Sequence, residues 1–170
     1  MEVLPAIVAP EPVVVFCGMA GAESIKTRDH YYASPGNSFW ESFHLSGFSP
    51  RRLRPDEDRL VAELGHGLTD LVGHWDPAWV EIDALVADVE RWQPEWLAFT
   101  GKGTAQWAYR ALGHRGRPSL GVQDWYVGPA QVFVLPGTSG ANQRKDYDGR
   151  PNRLSWWRDL AALSGISPAE

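Results

Sequence analysis

An apolar, β-branched run near the N-terminus, Val13–Phe16, constrains the fold more than any other feature of the chain. Such a run, followed closely by glycine, is typical of a fully buried strand in a mostly parallel sheet. It leads into Gly18–Ala22, where small residues let the backbone turn sharply and let another molecule approach. A long polar and aromatic connection follows before Phe39–Leu45 resumes with helical spacing. Open α/β sheets bind ligands beyond the carboxyl ends of such strands, so we expect a crevice here.

Beyond this stretch, apolar runs that suit strands alternate with segments of helical spacing. Further strands are expected at Trp96–Thr100 and Val132–Leu135. The short apolar segment Gly67–Val72 is a weaker strand candidate, because a Thr-Asp pair interrupts it and a turn is expected there. Helices are expected at about 39–46, 55–64, 80–91, 102–112 and 151–163, and a loop at 115–128. This order predicts an α/β fold, a three-layer α/β/α domain around a short, mostly parallel sheet. We expect that single domain to span 13–170, after a proline-containing lead-in, 1–12, without structure of its own.

The composition narrows the possible classes of function. The chain has 170 residues and a net charge of −5, which argues against non-specific coating of nucleic acid. A lone cysteine, Cys17, excludes an internal disulfide or a cysteine metal cluster. The histidines lack metal-ligand spacing, and the dinucleotide and P-loop fingerprints are missing, so we expect no metal and no cofactor. With no signal peptide and no long apolar run, we expect a cytoplasmic monomer that does not bind membranes.

The stretch 18–40, GMAGAESIKTRDHYYASPGNSFW, resembles the first active-site motif of the mismatch-specific uracil/thymine-DNA glycosylase family. The usual form of that motif is G-I-N-P-G, a spacer, and an aromatic residue before P-x-N-x-F-W. The segment 67–72, GLTDLV, resembles the family's G-[FIV]-T-N/K-[LM]-V, and 99–102, FTGK, resembles its F-x-G-K. The resemblance implies a uracil-DNA glycosylase-like fold. It also implies a monofunctional repair enzyme, acting on uracil-containing duplex or single-stranded DNA and including G:U mispairs.

The same resemblance assigns residues to a pocket for a flipped base. The stacking aromatic of the family falls on Tyr32, with Tyr31 as the second candidate, and the P-x-N falls on 35–37, ending at Asn37. The backbone N–H groups of Met19, Ala20, Gly21 and Ala22 would bind a pyrimidine carbonyl, and Thr69 would line the pocket. Without the family match, Tyr31 and Tyr32 could equally be residues that cap the core.

The position of the catalytic group departs from the family pattern. The asparagine that positions the attacking water in the family corresponds here to Ala20, whose methyl group cannot do so. A carboxylate near the sugar could stabilise its developing positive charge or orient water. Asp70 takes the slot where the family has Asn or Lys and is the first candidate, and Asp29 is the second. The alternative for Asp70 is a capping role at the next turn.

The loop after the last predicted strand resembles the family loop that enters the minor groove and fills the gap left by the base. Its candidate DNA-binding residues lie at 138–141, with Ala141 where the family has a larger wedge residue. Residues 141–158 carry five Lys or Arg and two Asp in an acidic protein, which suits phosphate binding. A solvated basic helix start is the alternative. The predicted DNA-binding set is Lys102, Thr138, Ser139, Gly140, Ala141, Arg144 and Lys145.

Three functions are compatible with these features. The first is a glycosylase in which Asp70 replaces the missing asparagine. The second is a catalytically weak or inactive DNA-binding protein of the same fold, which Ala20 and the small Ala141 would favour. The third is an unrelated small-molecule enzyme that uses the same crevice. The preferred base stays open among uracil, thymine, ethenocytosine and hypoxanthine.

Overall fold

The computed structural model describes residues 4–20, 29–72, 81–140 and 146–167. In chain order its strands are β1 (Ile7–Val8), β2 (Val14–Ala20), β3 (Gly67–Val72), β4 (Trp96–Thr100), β5 (Gly121–Val127) and β6 (Ala130–Leu135). Its α-helices are α1 (Phe39–Leu45), α2 (Leu60–Glu63), α3 (Ile82–Trp92), α4 (Lys102–Ala111) and α5 (Leu154–Leu163), with a 3-10 helix at Pro55–Glu57.

The six strands form one sheet in the order β1-β3-β2-β4-β6-β5. The four inner strands are parallel, and the edge strands β1 and β5 run antiparallel to their neighbours. From β2 the chain moves outward to β3, and from β4 it moves outward to β6, so the strand order reverses between β2 and β4. Pairing of β2 with β4 ends at Cys17, whereas pairing with β3 continues to Ala20. The last residues of β2 therefore border the point where open sheets bind ligands.

Both faces of the sheet are covered by helices. On one face, β2 contributes Phe16 to a core shared with α1, α2 and α5. The Phe16 ring stacks on Trp157, with 5.4 Å between the ring centroids, and meets Phe39 edge to face at 5.4 Å. On the opposite face, Cys17 packs with residues of α3 and α4. Because side chains alternate along a strand, successive residues of β2 belong to different cores.

The predicted three-layer α/β/α fold with a mostly parallel sheet is confirmed. Three local predictions were wrong. The loop expected at 115–128 contains β5, which pairs with β6 along the sheet edge. The lead-in expected to lack structure contains β1, which pairs with β3. The helix expected at 55–64 is a 3-10 turn and a separate short helix, α2.

The break between the 3-10 turn and α2 has a physical cause in the side chains there. Glu57 accepts hydrogen bonds from the Arg51 guanidinium and from the backbone N–H of Arg54, and these bonds lower its pKa to about 2. Asp58 accepts the backbone N–H of Tyr31 at 3.1 Å. Both carboxylates therefore anchor neighbouring segments of the chain, and the backbone follows those contacts instead of a continuous helix.

Candidate active site

A crevice lies beyond the carboxyl ends of β2, β3, β4 and β6, at the point where the strand order reverses. Its volume is about 310 Å³, at the small end of the roughly 300–1,000 Å³ range of small-molecule sites. The lining is mainly polar or small, with Tyr32 the one aromatic side chain among the lining residues that the structure describes. The lining residues are Gly18, Met19, Tyr32, Ala33, Ser34, Asn37, Asp70, Thr100, Thr104, Gly137, Thr138 and Ser139.

Three side-chain oxygens converge over Gly18 at the base of this crevice. A Cβ built on Gly18 would lie 3.0 Å from Asp70 Oδ1, 3.2 Å from the Tyr32 hydroxyl and 3.5 Å from Thr100 Oγ1. Gly18 pairs with Asp70 in the register of β2 and β3, so the strand pairing itself brings the carboxylate to this point. The missing side chain at residue 18 leaves room for the three oxygens to approach one another.

Tyr32 occupies the position expected of a ring that lines the pocket. Its hydroxyl and that of Thr100 share a hydrogen bond of 2.9 Å. One face of its ring stacks on Phe39, with 3.9 Å between centroids and 8° between the ring planes. The backbone of Tyr32 is in the left-handed region, with φ at 52°, which non-glycine residues adopt only where the surroundings stabilise it.

Tyr31 does not line the crevice. Its side chain is buried in the core, and its hydroxyl donates to the backbone carbonyl of Pro5 at 2.9 Å. Its own carbonyl accepts the indole N–H of Trp40. Tyr31 therefore holds the N-terminal segment and α1 to the sheet, which is the core-capping alternative considered from the sequence.

The alternation of side chains along β3 separates two residues that the sequence analysis placed together. Asp70 pairs with Gly18 and shares its face of the sheet, so it lines the crevice. Thr69 pairs with Cys17, is buried, and lies on the opposite face. The prediction that Thr69 lines the base pocket therefore does not agree with its placement, because successive strand residues point in opposite directions.

The other predicted residues near the end of β2 divide in a similar way. Met19 lines the crevice, and Ala20 is buried at the last position of the strand, paired with Val72. Asp29 is exposed and is not one of the residues that line the crevice. Gly21 and Ala22 lie outside the described residues, and so do Ala141, Arg144 and Lys145.

Two loops form the outer walls of the crevice and contact each other directly. The backbone N–H of Ser38 donates to the carbonyl of Thr138 at 2.8 Å. A Cβ on Gly140 would lie 3.0 Å from the carbonyl oxygen of Gly36, so the two glycines allow the backbones to touch. Asn37 lines the crevice, and its Oδ1 accepts the backbone N–H of Phe39 at 3.0 Å. The Oδ1 of Asn37 is therefore engaged as an acceptor, and its side-chain NH₂ is the group that can donate a hydrogen bond.

The described part of the loop at 136–141, which the family resemblance predicts to enter the DNA, lies at the carboxyl end of β6, as expected from the sequence. Thr138 is buried, Ser139 is exposed, and both line the crevice. Gly140 lies beside them, against the opposite wall. The Arg153 guanidinium donates to the carbonyl of Gly137 at 3.2 Å and supports this loop from the start of α5.

Two of the described cations, Lys102 and Arg150, form ion pairs within the protein. Lys102 forms an ion pair with Asp148, whose other carboxylate oxygen accepts the backbone N–H of Leu120 at 2.8 Å. Arg150 pairs with Asp159 at 2.7 Å. Of the cations counted in residues 141–158, Arg150 is therefore balanced by an acid just outside that range.

Two threonines, Thr100 and Thr104, were missed by the sequence analysis. Thr100 ends β4 and Thr104 lies in the first turn of α4, and both line the crevice. The FTGK resemblance at 99–102 marked this strand–helix junction but gave no reason to single out a threonine. The hydroxyl of Thr100 reaches the crevice only because β4 lies beside β2 in the sheet.

The negative charge of Asp70 acts on the neighbouring strand. Complete burial raises the pKa of the Cys17 thiol well above its usual value, and the charge of Asp70 raises it further. The thiol donates to the carbonyl of Gly18 at 3.4 Å. Cys17 is therefore a neutral, unreactive core residue.

The described part of the chain, residues 4–20, 29–72, 81–140 and 146–167, contains neither a metal-binding cluster nor a membrane-spanning helix. In these ranges no group of three or more His, Cys, Asp or Glu is arranged to hold a metal ion. Across the same part of the chain, no helix has the length and apolarity needed to span a bilayer.

The fold and the site together define an α/β/α protein with a polar crevice of about 310 Å³ where the strand order of its parallel sheet reverses. The model of the uracil DNA glycosylase superfamily matches residues 5–161. The chain therefore belongs to the uracil DNA glycosylase superfamily, which confirms at that level the resemblance drawn from its motifs.

Structural comparison gives the same fold. A proposed uracil DNA glycosylase from Methanosarcina acetivorans, whose structure was determined in solution by NMR, is similar with a TM-score of 0.60. The two sequences are 17% identical, and the similarity covers 95% of this chain and 96% of the other. At this identity the likeness is one of fold, and the function has to be argued from the site.

Proposed function

We propose that this protein is a monofunctional DNA glycosylase that removes uracil from DNA, with G:U mispairs among its substrates. The observation that carries the proposal is the convergence of Asp70, Tyr32 and Thr100 over Gly18 at the base of the crevice. A superfamily member that acts on DNA needs a crevice of this kind, because the base has to leave the helix before its glycosidic bond can be reached.

Tyr32 is the proposed stacking platform for the extruded base. Its ring lines the crevice and is already supported from one side by Phe39. Stacking of a base on an aromatic ring is worth roughly 1–3 kcal/mol. Asn37 adds a side-chain amide donor at the crevice wall, suited to a carbonyl oxygen of the base.

Asp70 is the proposed catalytic residue. Hydrolysis breaks the bond between the sugar C1′ and the base nitrogen, and a water oxygen takes the place of the base on C1′. Positive charge develops on the sugar and negative charge on the leaving base. A carboxylate beside the sugar stabilises the positive charge on the sugar and orients the water. The methyl group of Ala20 can do neither. The leaving base then takes up a proton.

The loop at 136–141 is the proposed element that enters the DNA where the base has left. Its described part forms one wall of the crevice, against Gly36 and Ser38. Arg144 and Lys145 lie just beyond this loop in the sequence and are the proposed phosphate contacts. The protein's partner in this proposal is DNA, with no metal or other cofactor taking part.

The direct test measures excision from duplexes that carry one modified base. Wild-type protein is incubated with G:U, A:U and single-stranded uracil substrates, and with thymine, ethenocytosine and hypoxanthine, and abasic sites are then cleaved and counted. Uracil is expected to be released. Asp70→Asn and Asp70→Ala are expected to be slower by about 10²–10⁴-fold, the usual contribution of a positioned acid–base group.

Asp124→Asn is the matched control, because Asp124 is exposed on β5 and does not line the crevice. It should excise uracil at the wild-type rate. An Asp70→Ala variant as active as wild type would remove Asp70 from the mechanism, and no release of any base would refute the glycosylase proposal.

One observation favours the second candidate function, a DNA-binding protein with little or no catalysis. Ala20 occupies the slot of the family asparagine and is buried at the end of β2. If this candidate is right, uracil-containing duplexes bind more tightly than matched normal duplexes, but long incubation releases no base. Binding and excision measured on the same duplex therefore distinguish the two functions.

A further inference from the structure

The hydroxyl of Thr100 joins three parts of the chain that meet at the crevice. Thr100 is the last residue of β4, and its side chain is largely buried. Its hydroxyl shares the 2.9 Å hydrogen bond with Tyr32 and lies 3.4 Å from the backbone carbonyl of Cys17 on β2. These contacts connect the sheet at its strand-order reversal with a tyrosine 68 residues earlier in the chain.

The side chain of Tyr32 is positioned by contacts with other parts of the chain. Tyr32 lies in neither a strand nor a helix, and its backbone adopts the left-handed conformation. Stacking on Phe39 fixes the plane of the ring but leaves its rotation and sliding in that plane weakly restrained. The hydrogen bond to Thr100 at the far end of the ring adds a restraint within that plane.

We propose that Thr100 is a positioning residue for Tyr32, holding the ring and its hydroxyl in the orientation that receives the extruded base beside Asp70. The inference rests on the proposed function for its catalytic consequence. Its structural part, the restraint on the ring, can be measured without any DNA.

The position of the shared hydrogen bond supports more than a packing role for Thr100. The Tyr32 hydroxyl, Thr100 Oγ1 and Asp70 Oδ1 all lie within 3.5 Å of the point above Gly18 where a Cβ would stand. Rotation of Tyr32 away from Thr100 would therefore also move its hydroxyl relative to the carboxylate. Thr100 thus orders both the proposed stacking surface and the polar floor of the crevice.

The first experiment compares Thr100→Val, Thr100→Ser, Tyr32→Phe and the Thr100→Val/Tyr32→Phe double variant in single-turnover excision of uracil. Valine keeps the shape of threonine without its hydroxyl, and serine keeps the hydroxyl. Thr100→Val and Tyr32→Phe are each expected to slow excision about 5-fold, the loss that one ordinary hydrogen bond predicts. The double variant should be no slower than either single one, and Thr100→Ser should be close to wild type.

Tyr126→Phe is the control for loss of a tyrosine hydroxyl, because Tyr126 is exposed on β5 and does not line the crevice. Its excision rate should equal that of wild type. Independent, multiplying effects of Thr100→Val and Tyr32→Phe would overturn the inference.

The second experiment follows the position and order of the 13C-labelled Tyr32 ring by NMR, from its NOE contacts with Phe39 and its order parameter, without DNA. Thr100→Val is expected to shift the ring and lower its order parameter, and Thr100→Ser to leave both as in wild type. An unchanged ring in Thr100→Val overturns the inference whatever the excision result. If wild type releases no base but Thr100→Val frees the ring, the proposed function fails and the positioning role stands.

Should Thr100→Val not fold, Tyr32→Phe removes the same hydrogen bond without altering β4, and an excision rate equal to wild type would overturn the inference.

Discussion

Gly18 and Asp70 lie opposite each other on β2 and β3, and Asp70 Oδ1 is 3.0 Å from the place where a side chain at residue 18 would begin. The carboxylate can reach the crevice floor only because residue 18 has no side chain. The glycine is needed here for space, since its φ is not one of the positive values found at several other glycines. The same space admits the hydroxyl of Tyr32 at 3.2 Å.

Gly18→Ala is therefore expected to displace Asp70 and Tyr32 together. Overpacking of this kind costs roughly 1–3 kcal/mol of folding free energy. We expect excision of uracil to fall at least about 10-fold, because a small misplacement of reacting groups is costly in rate. Urea unfolding and single-turnover excision measure the two effects separately.

Gly103→Ala is the matched comparison for that variant. Gly103 lies in the first turn of α4, and a Cβ there would have nothing within 4 Å. Alanine in a first turn should stabilise the protein by less than the roughly 0.5–1 kcal/mol gained in a helix interior, and it should leave excision unchanged. Full activity of Gly18→Ala at unchanged stability would show that the crevice floor has more room than the structure indicates.

Much of the fold could be predicted from the sequence, because its inner strands are continuous apolar runs. Val13–Phe16 and Trp96–Thr100 can be buried on both faces only in the middle of a covered sheet. β5 was missed because Gly121 and Gln123 occupy inward-facing positions while Val122 is exposed, which hides the alternation. The buried amide of Gln123 is acceptable because its oxygen accepts the indole N–H of Trp125 at 3.1 Å, a contact that no pattern of polarity reveals.

The site was predictable only in part. Asp70 was identified because it fills a slot in a motif, and the register of β3 places it in the crevice. Thr100 was not identified, because its hydroxyl reaches the crevice only when β4 lies beside β2 in the sheet. Tyr32 was ranked above Tyr31 by the family motif alone, since adjacent aromatics carry the same local signal. Their separation follows from the positive φ of Tyr32, which sends one ring to the core and the other to the crevice.

His66 provides a test of stability that is separate from the proposed chemistry. Its side chain is buried beneath Phe48, and its Nδ1 accepts the backbone N–H of Val14 at 3.3 Å. Burial lowers the pKa of His66 from 6.5 to about 4. Below pH 6.5 the unfolded chain therefore takes up a proton that the folded chain does not, and the free energy of unfolding falls as the pH falls.

We expect this proton to cost about 3 kcal/mol of stability between pH 8 and pH 4, with most of the loss below pH 6.5. Other groups titrate in the same range, so the quantity to measure is the difference between wild type and His66→Asn. The asparagine side chain can accept the same N–H and takes up no proton. Urea unfolding at several pH values should show the stability of wild type falling relative to the variant, and parallel curves would contradict a depressed pKa.

Lys102 was predicted from the sequence to bind DNA, but its structural environment argues for a different role. Its ammonium group pairs with Asp148, and that carboxylate is itself held by the backbone N–H of Leu120. Asp146 lies nearby and borders the same small cavity of about 180 Å³ at the start of α4. A phosphate approaching Lys102 would therefore meet two carboxylates, which offset the attraction of the single cation.

Lys102→Met and Lys145→Met form a matched pair that separates a structural lysine from one that contacts phosphate. A lysine that neutralises a phosphate adds about 0.9 to the slope of log K against log salt concentration on duplex DNA. We expect Lys145→Met to lose that amount, because Lys145 lies just beyond the loop at 136–141 that is proposed to enter the DNA. Lys102→Met should keep the wild-type slope, because the charge it removes is already balanced by Asp148. Fluorescence anisotropy of a labelled duplex over a series of salt concentrations measures both slopes. An equal loss in the two variants would mean that DNA displaces Asp148 from Lys102 and that the sequence-based assignment of Lys102 was right.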